Sequence, residues 1–308
     1  MNNISNTMEK KDMKKYTKYK ILDFIRAKIM CILPDKIYLK MMYKLKTKHS
    51  LNLKKPERYT EKIQWLKLYN RNEKYTNYAD KIKVRDIVEK NAGKQYLIPL
   101  LGVYDKFEDI DFDRLPNKFV LKCNHDSGSV VICTDKKKFD YDYAKKKIEK
   151  SLKCDYYIIG REYIYKNIDR KIMVEEYLND LDGNSANDYK IFIIDGKFSH
   201  LEICSDRFTN LKVTFFDEKK KKLKISEMGE EFDENIELPK NIDEMIEIAK
   251  KIAKGIPLLR VDFYDVNGKI YFGEVAFFDC SGYATYSDDN FDYQIGKKID
   301  LSKIKVKK

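Results

Sequence analysis

Glycine, proline, tryptophan and histidine are scarce in this chain: 12, 6, 1 and 3 residues in 308. So little Gly and Pro excludes collagen-like and Pro-rich low-complexity architectures. The three histidines, His49, His125 and His200, lie far apart in sequence, which argues against a His-based zinc site. Cys31, Cys123, Cys133, Cys154, Cys204 and Cys280 form no Cys-x-x-Cys pair and no regular spacing. They read as free thiols of a reducing cytosol, not as a disulfide framework. No run of about 18 or more apolar residues occurs, so no membrane-spanning helix is expected. The polar stretch 1–20 lacks the apolar centre of a signal peptide, and a cytoplasmic location is expected.

Hydrophobic residues at 43% and aromatics at 13% are ample for a core. Charged residues make up 36% with a formal net charge of +12, and Lys dominates the basic side. A Lys- and Ile-rich composition also follows from genome bias, so the charge alone does not point to a specific nucleic acid. The length allows two or three domains or one lobed enzyme. The first 50 residues stand apart. Between Glu9 and Ser50, thirteen Lys or Arg face four acids and are interleaved with Ile, Leu, Met and Tyr. Helices are expected over Tyr19–Leu33 and Lys36–Lys46, broken at Pro34-Asp35, with Asp35 capping the second. A basic amphipathic stretch suits either an anionic membrane surface or a solvated face on a packed helix.

Further along, Thr60–Tyr69 reads as an amphipathic helix capped by Thr60. Asp80–Asn91 reads as a helix stopped near Gly93. Tyr96–Tyr104 is a strand or buried connection, Lys118–Cys123 a strand, Asp140–Lys153 a helix, and Lys171–Leu178 a strand entering a polar loop at Asn179–Asn187. Asp188–Ile194 and Phe198–Cys204 form a hairpin across Asp195-Gly196-Lys197, and Asn241–Ala253 is a helix. Leu259–Phe263 and Ile270–Val275 form another hairpin across Val266-Asn267-Gly268-Lys269, since Asn-Gly between alternating apolar runs is a strong hairpin signal. Asp262 and Glu274 then lie on facing strands with their side chains on one face. Two such carboxylates are costly side by side unless a cation sits between them, and Mg²⁺ with ATP phosphates suits that place. The plainer reading is two solvated acids at a hairpin edge.

Lys122 ends its strand and is followed by Asn124-His125-Asp126-Ser127-Gly128-Ser129. Small residues let backbone N–H groups approach phosphate, and Lys adds a point charge. Alone, such a turn is ordinary. The order of the segments is more telling: a Lys strand and small loop, then Glu175-Glu176-Tyr177-Leu178, then Asp188-Tyr189-Lys190, then the Arg260-x-Asp262 and Glu274 hairpin. With Glu61–Tyr69, Leu97–Tyr104, Phe119–His125, Gly160-Arg161-Glu162 and Ser205–Asn210, the chain from about Leu51 to Gly282 resembles the TupA-like ATP-grasp proteins of bacterial surface-polysaccharide loci.

The resemblance implies an α+β ATP-grasp fold, with ATP held between two α+β subdomains, and a basic helical N-terminal extension. The expected regions are 1–50 for the extension, 51–115 for an N-terminal helical or α+β part, 116–174 for the small subdomain with the phosphate loop, and 175–308 for the large subdomain with the metal site. It also implies residue roles. Lys122 would touch the α/β-phosphates under a loop carrying Ser127, Gly128 and Ser129. Glu175, Glu176, Tyr177 and Leu178 would read adenine, Asp188 the ribose, and Lys190 would reach phosphate. Arg260 would steady the transferring phosphoryl group, with Asp262 and Glu274 holding Mg²⁺. Asp206, Arg207, Ser281 and Gly282 are the expected substrate contacts. The chain departs from the family pattern at Asp126, which adds a negative charge where phosphate should lie. It departs again at Ala276, where a third metal ligand is usual, leaving water or Asp279 to complete the shell. Arg161 and Glu162 are read as pairing with each other or with the sheet as readily as with substrate. Asp111-Phe112-Asp113 mimics a glycosyltransferase Asp-x-Asp, but its acidic turn before Leu115-Pro116 reads as a solvated loop.

The expected activity is an ATP- and Mg²⁺-dependent carboxylate–amine ligase working through an acylphosphate. Its partners would be ATP, a carboxylate-bearing sugar or amino acid, and an amine donor, with peripheral contact to the inner face of an anionic membrane. The competing readings are a glycosyltransferase of a polysaccharide locus and a non-catalytic binding protein of degenerate ATP-grasp type.

Overall fold

A computed structural model describes residues 32–178, 187–206, 210–304 and 306. Most of the helix expected over Tyr19–Leu33, the polar loop 179–186 and Arg207 lie outside these. The chain divides into two units, 1–50 and 51–308. In the first, α1 spans Asp35–Thr47 with Pro34 at its N-cap, so Asp35 occupies the first turn instead of capping. It buries Tyr38, Leu39 and Tyr43.

The second unit contains two antiparallel sheets, each with its own apolar cluster. The smaller sheet has the order β1-β4-β2-β3, from Leu100–Tyr104 (β1), Ile172–Glu176 (β4), Phe119–Cys123 (β2) and Val131–Cys133 (β3). In β2 the period-two pattern buries Phe119, Leu121 and Cys123 on one face and leaves Val120 and Lys122 on the other. Ala144 and Ile148 of helix α5 (Tyr141–Leu152) complete that cluster. Asp140 starts this helix by accepting from the Tyr143 N–H at 2.9 Å.

The larger sheet has the order β10-β9-β5-β6-β7-β8. Its strands are Asp188–Ile194 (β5), Lys197–Ser205 (β6), Lys212–Phe216 (β7), Lys222–Leu223 (β8), Leu258–Val266 (β9) and Lys269–Ala276 (β10). Both predicted hairpins form. Asp195-Gly196 and Asn267-Gly268 each place two successive residues at positive φ, the twist a two-residue hairpin loop requires. Helix α6 (Ile242–Ile252) covers the sheet with Met245, Ile248, Ala249 and Ile252. Its acids Asp243 and Glu244 lie in the first turn and Lys250 and Lys251 in the last, matching the helix dipole.

Three sequence expectations shift. The helix read over Asp80–Asn91 starts later, as α4 (Lys83–Asn91), and a separate short helix, α3 (Tyr75–Ala79), precedes it. Asp80 lies between them, its side chain accepting from the Ile82 N–H at 2.9 Å, a competition with the helical ladder typical of Asp. Helix α2 spans Tyr59–Tyr69, and Thr60 is not its cap. Its hydroxyl donates to Asp292 at 2.8 Å instead, while Glu61 reaches back to the Glu57 and Arg58 N–H groups at 2.9 and 3.2 Å. Tyr96 ends a short 3-10 turn, and the strand begins only at Leu100.

Candidate active site

Four charged side chains form a row across the larger sheet. Glu274 on β10 is paired with Asp262 on β9, Asp262 with Lys190 on β5, and Lys190 with Glu202 on β6. Register partners share a face, so all four project to the same side. The Asp262–Glu274 pairing depends on a bulge between Phe272 and Glu274. Counting back from the Asn267-Gly268 turn without it, Glu274 would face Val261 and lie on the opposite side of the sheet.

Arg260 stands on the same face, two residues before Asp262. Its Nε and Nη2 donate to the two Asp262 oxygens at 2.8 and 2.7 Å, Nη2 lies 3.4 Å from Glu274 Oε1, and Nη1 donates to Asp279. Burial pushes the Asp262 carboxyl up to about 7, with Glu274 adding to the rise and Arg260 opposing it. Asp262 and Glu274 thus converge on one guanidinium nitrogen, a pair of hard oxygen donors of the kind Mg²⁺ takes alongside phosphate. Asp279, expected to complete the shell in place of the family's third ligand, is turned to Arg260 instead. Glu227, Asp279 and Cys280 also bring their ligand atoms within 4.8 Å of one another. There Asp279 is already committed to Arg260, and burial pushes the Glu227 carboxyl up, away from the ionised form a cation takes. At Glu202 burial acts against ionisation, but Lys190 and Arg260 prevail and hold its carboxyl low.

On the smaller sheet, Lys122 and Glu175 lie diagonally across β2 and β4, with Nζ 2.5 Å from Glu175 Oε2. Arg85 approaches the other Glu175 oxygen at 3.1 Å. Glu175 is therefore turned inward onto two cations, while Glu176 is exposed and Tyr177 and Leu178 are half-buried at the end of β4. Ser127 and Gly128 are exposed at the loop tip, Gly128 with φ +102°. Asp126 corrects the sequence reading. Its carboxylate is buried and accepts from Ser129 Oγ at 2.6 Å and from Ser151 Oγ, so it turns inward and braces the 126–129 loop. Asp188 is buried at the start of β5, opposite Cys204 and Tyr264.

Lys81, which the sequence reading missed, joins the two sheets. Its Nζ donates to the Asp126 carbonyl and lies 3.7 Å from Glu274 Oε2, so a further cation sits between the 126–129 loop and the Asp262–Glu274 pair. Nothing local in the sequence marks it.

Ser281 and Gly282 belong to a left-handed turn, where Cys280, Ser281 and Gly282 have φ of 43°, 54° and 65°. Two of these are not glycine, so the turn is strained and must be held. Helix α2 holds it. Gln64 Nε2 donates to the Ser281 and Gly282 carbonyls at 3.0 and 2.8 Å. The fully buried Lys67 donates to Ser281 O, Ser281 Oγ and Gly160 O at 2.7, 2.7 and 2.8 Å. Ser281 Oγ in turn donates to Glu162 at 2.5 Å, and Glu162 also lies 3.7 Å from Lys67 Nζ. A Cβ at Gly160 would lie 2.5 Å from both Glu162 Oε1 and Ser281 Oγ, which explains the glycine. Gln64 and Lys67, interleaved with Ile63 and Leu66, were the signal for this network.

Asp206 lies apart from the carboxylate row, 3.4 Å from Lys212 and half exposed, and Arg207 falls outside the described residues. Asp111 of the Asp-x-Asp look-alike caps a short exposed turn and lies 3.1 Å from Arg114, as its solvated reading expects.

No curated protein matches the sequence significantly. Among solved structures, an L-amino acid ligase from Bacillus licheniformis aligns over 67% of this chain and 44% of its own, at 16% identity and a TM-score of 0.42. D-alanine--D-alanine ligase from Bacillus anthracis, complexed with ATP, aligns over 65% and 53%, at 20% identity and a TM-score of 0.36. The ATP-grasp ligase PsnB, complexed with a phosphomimetic variant of its minimal precursor, Mg and ADP, aligns over 79% and 62%, at 11% identity and a TM-score of 0.42. The chain thus spans about half the length of the structures it matches. The sequence matches the TupA-like ATP-grasp family across residues 61–300, most of its length, and the chain belongs to that family.

Proposed function

We propose that the protein is an ATP- and Mg²⁺-dependent carboxylate–amine ligase acting in cell-surface polysaccharide synthesis. The observation that carries this reading is the convergence of Asp262 and Glu274 on Arg260, with Lys81 between that cluster and the phosphate loop. A carboxylate oxygen of the substrate attacks the γ-phosphorus of ATP, the bond to ADP breaks, and an acylphosphate forms. The amine then attacks the acyl carbon, phosphate leaves, and the displaced amine proton goes with it. No covalent bond to the protein is needed, so the work is positioning and charge neutralisation. Lys122 and Lys81 hold phosphate oxygens, Ser127, Gly128 and Ser129 close over them, and Arg260 steadies the transferring group. Mg²⁺, when held by Asp262 and Glu274, neutralises the triphosphate. Segment 175–178 takes the adenine and Asp188 the ribose, while Lys190 reaches the phosphates. Ser281 and Gly282 shape the acceptor end. The carboxylate is a uronic acid or an amino acid on a glycan precursor, and the site of action is cytoplasmic. The glycosyltransferase reading is disfavoured because its Asp-x-Asp candidate is a solvated surface turn.

The test is phosphate release from Mg²⁺-ATP, screened against paired carboxylate and amine pools. Release is expected only when both partners are present. Asp262→Asn and Glu274→Gln are each expected to abolish it while the melting temperature holds within a few degrees. Near wild-type release by either variant would remove the metal assignment, and wild-type binding of ATP without release for any pair would favour a degenerate binding protein.

A further inference from the structure

Helix α1 has a second face that plays no part in its packing. Ile37, Met41 and Leu45 are 55%, 39% and 52% exposed. Their four-residue spacing lines them up as one stripe. Lys36, Lys40, Lys44 and Lys48, all exposed, form a parallel row beside it. Tyr38, Leu39, Tyr43 and Thr47 occupy the opposite, buried side. Ile32, just before the helix, is 84% exposed as well. Single exposed apolar residues are ordinary, but a continuous apolar stripe flanked by cations calls for an occupant.

Charge selects that occupant. From 32 to 50 the sequence holds one acid, Asp35, against five lysines. A second copy of this face would bring like charge. So would residues 1–31, which carry eight Lys or Arg and three acids. Nucleic acid would satisfy the lysines but not the apolar stripe. An anionic bilayer supplies both partners, headgroups for the ammonium groups and an acyl boundary for Ile37, Met41 and Leu45. Lysine stems can lie along the apolar surface with their charges in the headgroup layer. At 13 residues the helix is too short to cross a bilayer but long enough to lie along one.

We propose that α1 docks flat on an anionic lipid surface, with Ile37, Met41 and Leu45 inserted and Lys36, Lys40, Lys44 and Lys48 on the headgroups. The inference does not depend on the ligase reading. The test is co-sedimentation of the full chain with phosphatidylcholine vesicles made with or without phosphatidylglycerol. Binding is expected only with phosphatidylglycerol and should fall as salt shortens the screening length. The triple variant Ile37→Ser, Met41→Ser, Leu45→Ser keeps every charge and should lose about tenfold or more in vesicle partition. Replacing the four lysines by Gln should lose a similar factor. Because all seven side chains are exposed, melting temperature and nucleotide binding should not change. Failure of the intact chain to sediment with phosphatidylglycerol vesicles would overturn the proposal. Equal sedimentation of the Ser variant would overturn it too, since the contact would then be charge from elsewhere in the chain. A wild-type dimer that ignores vesicles and is dissociated by the Ser changes would assign the face to a protein interface instead.

Discussion

Asp126 shows how one side chain changes meaning once its partners are known. Facing phosphate it would repel ATP, and replacing it by Gly would tighten binding. Bonded to Ser129 and Ser151, it fixes the loop that the phosphates would meet. Asp126→Gly is therefore expected to weaken ATP binding and to lose roughly 3–6 kcal/mol of stability, since two hydrogen bonds to a charged group are lost and each contributes about 1.5–3 kcal/mol. Calorimetry with ATP, together with a melting curve, reads both, and tighter ATP binding would restore the simpler view. Lys67 is the second case. Its three acceptors and nearby Glu162 share a buried setting, and removing one partner of such a group costs about 3–5 kcal/mol. Lys67→Ala should fall in that range by denaturant unfolding. Where enough protein folds, phosphate release should fall too, because the turn at Cys280–Gly282 loses its anchor.

Among the elements, the β9–β10 hairpin matters most. The Asn267-Gly268 turn sets the register near the loop, and the bulge resets it farther along. Gly273 sits at that bulge, where a Cβ would lie 3.0 Å from the Tyr264 ring and 3.2 Å from the Asp262 carbonyl. A branched side chain there would crowd both, and straightening the strand would swing Glu274 off the Asp262 face. Gly273→Val is expected to cut Mg²⁺-dependent phosphate release at least about tenfold and to raise the Mg²⁺ concentration needed, as loss of one of two carboxylate ligands should. Unchanged Mg²⁺ dependence would mean that the bulge does not position Glu274.

The whole molecule carries a pH dependence through His200. Burial, with Lys298 adding to it, depresses its folded value to about 3, while Glu202 and Glu218 oppose the shift. The ring stacks on Phe192 at 4.0 Å between centroids, a neutral role. The unfolded chain takes up a proton near pH 6.5, the folded chain only near 3. This stability is therefore fully present above about pH 6.5 and is lost as pH falls toward 3, at about 1.4 kcal/mol per pH unit. Between pH 6.5 and 5 the loss is roughly 2 kcal/mol. Denaturant unfolding of wild type and His200→Phe at both pH values should show that loss in wild type and little of it in the variant.

Local chemistry was legible in the order of residues. Strand alternation in Phe119–Cys123, the Asn267-Gly268 turn, the helix capped at Asp140, and the acids and arginine of the last hairpin all depend on neighbours within a few positions. So does the amphipathic run that became α1. Long-range placement was not legible. Lys81 reaches the site from the break between two short helices, Lys67 and Gln64 grip a turn more than 200 positions away, and Asp126 turns inward to Ser151. The bulge that brings Glu274 round to Asp262 is one residue of register, invisible to a pattern of period two. A buried charge settles where the folded chain supplies its hydrogen bonds, and those donors and acceptors meet only after the two sheets and α2 have packed.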